Sequence, residues 1–439
     1  MTPEDTPAAA AGSASAAAAG SASAAAAGSI AAGSAAASPR DRWLNRNVWA
    51  LAVTSFLSDL GHETATAALP SFLAAIGAPP VTLGAIEGVA DAASSSVKLV
   101  TGWISDRVGR RKPFVVAGYF ITGLTTGLYA LAHSWGAILA ARTVGWISRG
   151  ARGPLRDVIL TQSVPATARG RAFGFHRAAD TVGAVLGPLF AAAALPWLAA
   201  RFAGDPLAPF RWLFLLSVIP GVLSGLVVLA FVTEQRSVGH SVPRFLATLR
   251  GLPSGYKRYL VGVGIFGAGD FAHTLLIMGA AHVLAPTYGV VKAAAIGSLL
   301  YVVHNVTYAM TPFPVGWLSD RVGRRGLLSL GYAVGAVMAI TAGVVFARGI
   351  SDIGILAGVF ALAGIVAGVE DTLEGATTAD YASPETRGTA FGVLGIVNGA
   401  GDLVSSLIVG ALWLANPMLG FGYAALMMAA GAVVVSRAR

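Results

Sequence analysis

Two short stretches, separated by roughly half of the chain, carry carboxylates and a histidine in the same order. The first reads DLGHE at 59–63 and the second reads DFAH at 270–273. Carboxylates and imidazoles bind protons or amines, and together they also suit divalent transition metals. The pattern predicts a site for protons or a small solute, or alternatively for a metal ion held by Asp59, His62, Asp270 and His273. Candidates for the proton or solute site are Asp59, His62, Glu63, Asp270 and His273.

A second pattern places opposite charges at equivalent positions of a repeat. Arg152 and Arg156 are one helical turn apart, and Glu370 and Glu374 have the same spacing later in the chain. We predict that the arginines pair with the glutamates when the cytoplasmic side is closed and separate from them when it opens, so that the four residues form a gate. The alternative is local pairing within each helix, for example of Arg156 with Asp157.

A glycine- and arginine-rich segment also occurs twice, as GWISDRVGRRKP at 102–113 and as GWLSDRVGRR at 316–325. An aspartate is stabilised beside the positive end of a helix, and arginines bind lipid phosphates or neighbouring helices. We predict that Asp106 lies near the helix start at Arg387 and that Asp320 lies near Arg169. The predicted gating residues of these segments are Gly102, Asp106, Arg107, Arg110, Asp320 and Arg321.

The elements that position these residues are apolar. The 439 residues are 55% hydrophobic and 12% charged, with a mean hydropathy of +0.69, which is too apolar for a soluble protein. About twelve stretches are long enough to cross the hydrocarbon core of a membrane. The predicted spans are 48–75, 81–101, 114–132, 135–158, 171–195, 211–232, 259–282, 291–315, 327–347, 353–378, 389–412 and 418–436. A rise of ~1.5 Å per residue places Asp59 and Asp270 near the membrane midplane, each with its histidine one turn further on the same helix face.

The repeats predict a duplicated, all-α membrane protein with two pseudo-symmetric six-helix halves. RGRAFG at 169–174 returns as RGTAFG at 387–392, at nearly the same separation as the other repeats. Basic residues cluster in alternate loops, which predicts a multi-pass plasma (inner) membrane protein with both termini cytoplasmic. The predicted divisions are a disordered Ala/Gly/Ser-rich tail at 1–46, the halves at 47–232 and 259–439, and a cytoplasmic linker at 233–258.

Several functional classes are excluded or disfavoured by the sequence. The net charge of +9 lies in short clusters between apolar runs, which indicates cytoplasmic loops rather than a nucleic-acid surface. The chain has no cysteine, and it lacks both the phosphate-binding Gly-x-x-x-x-Gly-Lys-Ser/Thr loop and the His-Glu-x-x-His motif. We therefore expect a protein that is not an enzyme, needs no cofactor, binds no nucleic acid and acts as a monomer among membrane lipids.

The repeated segment at 102–113 resembles the loop signature between helices 2 and 3 of the major facilitator superfamily, and 316–325 resembles its echo between helices 8 and 9. Arg142, in LAARTVGWISRG, is similar to the arginine of the family's helix 4 motif, and GAVLGPLF at 183–190 resembles the helix 5 motif of its antiporters. The resemblance implies a gating role for the loops and adds Arg142 to the substrate- or proton-binding candidates. It also implies a central cavity lined by helices 1 and 7.

The function implied by the resemblance is secondary active transport by alternating access. We predict proton coupling and export of a small organic molecule or drug. The alternatives are transport of a divalent transition metal or metal chelate and, in another class, a non-transporting membrane receptor or sensor on the same fold.

Overall fold

The computed structural model describes residues 43–105, 110–234, 252–381 and 387–438. The first half contains six long α-helices and a short 3₁₀ turn at Ala166–Ala168. These helices are α1 (Arg46–Ala75), α2 (Pro80–Ser105), α3 (Lys112–Leu131), α4 (Trp135–Gln162), α5 (Arg169–Arg201) and α6 (Ala208–Phe231). The second half contains α7 (Ser254–Gly267), α8 (Thr274–Tyr288), α9 (Val290–Met310), α10 (Pro312–Val322), α11 (Arg324–Ala347), α12 (Ile353–Tyr381), α13 (Arg387–Trp413) and α14 (Pro417–Arg437).

Eight helices in the described part of the chain are long and apolar enough to cross a membrane, counting α9 and α10 as one. The remaining spans of the predicted set are α1, α2, α4 and the seventh span, which is divided into α7 and α8. The helices α1, α2 and α4 carry most of the charged residues within the spans of the first half, which lowers their hydropathy. The twelve-span, all-α architecture is confirmed, and the charged helices are those that line or support its centre.

The seventh span differs from the prediction. It begins at Ser254 rather than at 259, and it breaks between Gly267 and Thr274. The prediction that Asp270 and His273 share one helix face is therefore wrong, because both lie in the break. Three glycines at 264, 267 and 269 lower the helix propensity here, and the Ser406 hydroxyl accepts a hydrogen bond from the freed Ala272 N–H at 3.1 Å.

The two halves pack together along two pairs of helices, α2 with α13 and α5 with α9. Glycines make the first contact close. A Cβ atom on Gly84 of α2 would lie 2.0 Å from the Ser406 carbonyl oxygen, and one on Gly399 of α13 would lie 2.6 Å from the Ser95 side chain. These close approaches leave no room for a side chain at either glycine, so α2 and α13 pack tightly against each other.

The end of the molecule at which α1 begins and α6 ends is here called the linker end, and the opposite end the far end. At the linker end the Asn47 amide donates a hydrogen bond to the Thr233 carbonyl at 2.7 Å. At the far end α1 and α2 of the first half pack against α8 of the second. No comparable packing joins the described residues of α4 and α12, so the space between the halves is wider toward the linker end.

Candidate functional site: the central cavity

A central cavity of two connected compartments lies between the halves. The larger compartment has a volume of about 460 Å³ and is lined mainly by α1, α4, α5, α9, α12 and the break of the seventh span, with single residues of α2, α8, α11 and α13. The smaller compartment has a volume of about 360 Å³ and lies between α2, α12 and α13. They share Asp91, Asp270, Asp371 and Asp402 on their walls. The combined volume is within the usual range for a small-molecule site.

The cavity opens toward the linker end. Arg177 on α5 and Asp371 on α12 line it there, and their side chains are 61% and 63% exposed. Their nearest charged atoms are 3.9 Å apart, and the Tyr308 hydroxyl lies between them, accepting a hydrogen bond from Arg177 and donating one to Asp371. Since α1 and α2 pack against α8 at the far end, the structure shows a conformation open at the linker end only.

Two carboxylates on the first-half wall, Asp59 and Asp180, are paired with arginines. The Arg149 guanidinium faces the Asp59 carboxylate end-on, with Nη1 3.0 Å from Oδ1 and Nη2 3.3 Å from Oδ2. Asp180 lies 3.6 Å from Arg177 and accepts a hydrogen bond from the Ser55 hydroxyl at 2.6 Å. Arginine therefore compensates the carboxylate charge of Asp59 and Asp180.

The second-half wall is different, because four carboxylates line it without a neighbouring cation of the same half. These are Asp270 in the break of the seventh span, Glu370 and Asp371 on α12 and Asp402 on α13. Among the described residues of the second half, neither a lysine nor an arginine lines either compartment. The basic residue of the smaller compartment is Lys98, on α2 of the first half.

A hydrogen-bonded network connects the two halves at the inner end of the cavity. The Tyr301 hydroxyl on α9 lies 2.9 Å from Oε2 of Glu63 on α1 and 2.8 Å from Nε2 of His273. Tyr301 is buried, and its ring stacks on the imidazole of His273 at a centroid distance of 4.8 Å. Gly187 of α5 packs closely against α1 at Glu63. A Cβ atom on Gly187 would lie 2.9 Å from the Cβ atom of Glu63.

Four of the predicted site residues lie on the cavity wall, namely Asp59, Glu63, Asp270 and His273. The other two lie behind it. His62 is buried against the Trp146 ring at a centroid distance of 4.4 Å. Arg142 is buried and donates to Oε2 of Glu87 through Nε at 2.9 Å and Nη2 at 2.7 Å. The Arg142 guanidinium also lies 4.5 Å from the centroid of the Trp146 ring, so it connects α4 to α2 rather than facing the cavity.

The predicted ion pairs between the halves are not formed in this conformation. Arg152 donates to the Ser58 hydroxyl at 3.0 Å and lies 3.7 Å from the centroid of the Tyr119 ring. Arg156 pairs with Asp157 at 2.8 Å, which was the local alternative.

The glutamates lie elsewhere. Glu374 accepts hydrogen bonds from the Tyr332 hydroxyl and, at 2.7 Å, from the Asn398 amide, whereas Glu370 lines the smaller compartment. In this conformation, which is open at the linker end, Arg152 and Glu374 each point into the helix packing of their own half. The pairing is expected when that end is closed, so it stays a prediction.

The two repeated loop segments are described unequally. Asp106 and Arg107 lie outside the described residues, Gly102 belongs to α2, and Arg110 is exposed. The predicted approach of Asp320 to Arg169 is not formed in this open conformation and stays a prediction for the closed one. Asp320 here pairs with Arg324 at 3.1 Å, and Arg324 also pairs with Asp380 at 2.5 Å. These contacts join α10, α11 and α12 within one half.

Two further contacts involve the same segments. Arg321 packs on Trp317, with its guanidinium carbon 3.5 Å from the ring centroid. At the first segment, the Glu234 carboxylate accepts hydrogen bonds from the backbone N–H groups of Arg111 and, at 3.0 Å, of Lys112. An anionic side chain that follows α6 thus caps the N-terminus of α3.

The structure does not bring the metal candidates together. Among the described residues, no three His, Asp or Glu side chains are placed to hold one metal ion. Asp59 forms a salt bridge with Arg149, and His62 packs against the Trp146 ring. The arrangement of Asp59, His62, Asp270 and His273 therefore does not support the metal alternative.

Several cavity residues were missed by the sequence reasoning. Asp371 and Asp402 could have been found, because each is a charged residue within a predicted span. Arg149 could have been found in the same way. Tyr301 could not, since a tyrosine in an apolar helix has no distinguishing pattern.

Comparisons with known proteins agree with this architecture. Residues 51–292 and 260–438 match the family model described as Major Facilitator Superfamily. An uncharacterized MFS-type transporter of Methanocaldococcus jannaschii is 31% identical over 387 residues, covering 88% of this chain and 93% of the relative.

Two other similarities are more distant. The quinolone resistance protein NorA of Staphylococcus aureus is 22% identical over 145 residues, covering 33% of this chain and 37% of NorA. The crystal structure of a bacterial homolog of the human lysosomal transporter Spinster, inward-facing and unoccupied, superposes with a TM-score of 0.65 at 18% identity, covering 89% of this chain and 94% of that one. The matches to the family model and to the archaeal relative show that this chain belongs to the major facilitator superfamily of membrane transporters.

Proposed function

We propose that this transporter exports small organic cations from the cytoplasm in exchange for protons. The observation that carries the proposal is the excess of carboxylates around the central cavity. Eight carboxylates and three Lys or Arg side chains line the two compartments among the described residues. The carboxylates are Asp59, Glu63, Asp91, Asp180, Asp270, Glu370, Asp371 and Asp402, and the cations are Lys98, Arg149 and Arg177.

The placement of these charges favours a cationic cargo over an anionic one. Arg149 and Arg177 already face carboxylates of their own half, so an anion would have to displace an existing partner. Asp270, Glu370 and Asp402 form no salt bridge among the described residues. Charges of one sign in a cleft with low-dielectric walls attract counter-charged solutes, and an ammonium group supplies the missing positive charge.

Proton exchange is the energy source that this arrangement supports. The sequence has no ATP-binding loop, which leaves an ion gradient. Neighbouring carboxylates in a low-dielectric cavity repel one another when all are ionised, so protons and a cationic cargo compete for the same groups. Such competition couples the two fluxes in opposite directions.

The direction of transport follows from the proposed orientation. The positive-inside rule puts the arginine-rich loops, the linker and both termini in the cytoplasm, so the linker-end opening would load cargo from there. The antiporter-like segment at 183–190 and the similarity to NorA favour export. We place the protein in the plasma membrane as a monomer.

The test uses two aromatic probes of similar size and opposite permanent charge, benzyltrimethylammonium and benzenesulfonate. The purified full-length chain is reconstituted into liposomes that enclose a pH-sensitive dye. We expect benzyltrimethylammonium to raise the melting temperature of the protein and to move against protons, and benzenesulfonate to do neither. Stabilisation and transport of benzenesulfonate alone would reverse the charge assignment. Transport of the cation without a proton flux would contradict the proposed exchange with protons.

A further inference from the structure

We propose that the Tyr301 hydroxyl relays a proton between Glu63 of the first half and His273 of the second. This inference rests on the proton coupling proposed above and assigns a route to it. Glu63 and His273 are both 2.9 Å or less from the same hydroxyl oxygen, and Tyr301 is 2% exposed. Distances of this length allow a proton to pass along a hydrogen bond.

The proton balance of the step is simple. When the Glu63 carboxyl is protonated, it donates to the Tyr301 oxygen, and the Tyr301 hydroxyl donates to Nε2 of His273. Transfer moves the Glu63 proton to the tyrosine oxygen while the original hydroxyl proton moves to the imidazole. Glu63 becomes a carboxylate, His273 becomes an imidazolium, and Tyr301 is again a neutral phenol that now donates to Glu63. One proton has crossed from one half of the molecule to the other.

The position of the network makes the relay depend on conformation. Tyr301 and His273 belong to the same half, whereas Glu63 lies on α1 of the other half. If the halves separate at the far end, the bond from Tyr301 to Glu63 is the one that breaks. Protons would therefore pass only while the far end is closed, which limits leakage during the transport cycle.

The charged and titratable groups that face the network come from both halves. Arg149 and Arg142 of α4 interact electrostatically with Glu63, and His304 lies beside His273 at a ring-centroid distance of 5.5 Å. The full set facing Glu63 and His273 is Asp59, His62, Arg142, Arg149, Asp180 and His304. In the described structure, the Tyr301 hydroxyl lies within hydrogen-bonding distance of both Glu63 and His273. None of the six groups in this set does so.

The direct test follows His273 by ¹⁵N NMR in full-length protein labelled at histidine. The chain has seven histidines, and the His273 signals are assigned by their loss in His273→Gln. We expect Glu63→Gln to shift the His273 ring nitrogen signals in the native background and to leave them unshifted in a Tyr301→Phe background. Tyr308→Phe is the matched control, because it removes the other tyrosine hydroxyl of α9 that contacts the opposite half. In that background the shift persists.

Two results would overturn the relay. A shift of equal size in the Tyr301→Phe background would show that Glu63 and His273 communicate through space, and no shift in the native background would show that they do not communicate. If Tyr301→Phe fails to fold, His273→Asn keeps a hydrogen-bonding group beside Tyr301 that takes up no proton. We expect His273→Asn to lose proton flux, and retained flux would contradict the relay.

The outcome is separable from that of the proposed function. If benzyltrimethylammonium is not transported but the NMR coupling requires Tyr301, the relay stands and the cargo assignment fails. If the cation exchanges with protons equally well in the native protein and in Tyr301→Phe, the proposed function stands and the relay fails.

Discussion

At the scale of single residues, the buried pair of Arg142 and Glu87 is best explained as a structural contact. Both side chains are almost fully buried, and Glu87 Oε1 has no hydrogen-bond partner in the described structure. The charge on each residue is therefore compensated mainly by the other. Removing one partner leaves an uncompensated buried charge, which is more destabilising than removing both.

We expect Arg142→Gln to lower the stability of the folded protein by about 3–5 kcal/mol. Adding Glu87→Gln should recover much of this loss, because the remaining buried charge is then removed. Thermal unfolding of the two single variants and the double variant in detergent measures the coupling. If Arg142→Gln lowers the stability equally with and without Glu87→Gln, the pairing is contradicted. If a stable double variant no longer binds the cation, Arg142 is a binding residue rather than a structural one.

The two repeated aspartates should respond differently to the same substitution. Asp59 compensates Arg149, whereas Asp270 faces other carboxylates. We expect Asp59→Asn to lower the melting temperature because Arg149 loses its partner, and Asp270→Asn to leave it unchanged or raise it because repulsion is reduced. Both variants should lose proton flux driven by benzyltrimethylammonium. Proton flux at the native level in both would exclude these aspartates from coupling.

The sequence predicted the acidic residues of the cavity better than their partners. A charge inside an apolar span is conspicuous, which is why Asp59, Glu63 and Asp270 were found. Their environments depend on which helices are neighbours. Glu87 shares its helix with Lys98, but α2 packs against α4 and Glu87 pairs with Arg142 instead.

At the scale of elements, the contact between α2 and α13 depends on glycine. We expect Gly84→Ala to destabilise the protein by about 1–3 kcal/mol, since its methyl group would overlap the backbone at Ser406. Gly153→Ala in α4 is the matched control, because a Cβ atom there meets nothing within 4 Å. It should be neutral or stabilising by up to about 1 kcal/mol. Thermal unfolding compares the two, and equal effects would contradict the close packing.

Helix positions were predictable from apolar length, but the break in the seventh span was not. Glycine is tolerated in membrane helices when the neighbouring helices satisfy the backbone. Whether Gly264, Gly267 and Gly269 stay helical depends on a partner, and Ser406 on α13 provides one for Ala272. The break places Asp270 and His273 on the cavity wall. The site therefore depends on a tertiary contact with α13, which the helix propensity of the seventh span alone does not predict.

At the scale of the whole molecule, the internal repeats predicted the two halves. Equivalent positions in the two repeats did not predict which residues of the two halves contact each other in this conformation. Arg156 and Glu374 occupy equivalent turns, and each is bound within its own half. Three hydrogen bonds that cross the cavity in the described structure lie on one face of α9, where Tyr301, Asn305 and Tyr308 meet Glu63, the Ala184 carbonyl and Arg177. Arg177 also approaches Asp371 on α12. In this open conformation the contacts follow helix adjacency, and pairing of the opposite charges at equivalent positions stays a prediction for the closed state.

Rocking of two rigid halves predicts that access at the two ends is reciprocal. Thr181 lines the central cavity, and Ala281 lines an apolar groove at the far end between α1, α2 and α8. Because the chain contains no cysteine, Thr181→Cys and Ala281→Cys each introduce a unique label site. We expect an impermeant maleimide to label Thr181→Cys from the linker side in inside-out vesicles. Adding benzyltrimethylammonium, or imposing a pH gradient, should change labelling at the two positions in opposite directions, because opening one end closes the other. Labelling that rises at both positions together would indicate a continuous pore, and labelling that responds at neither position would favour a static receptor over a transporter that alternates between two states.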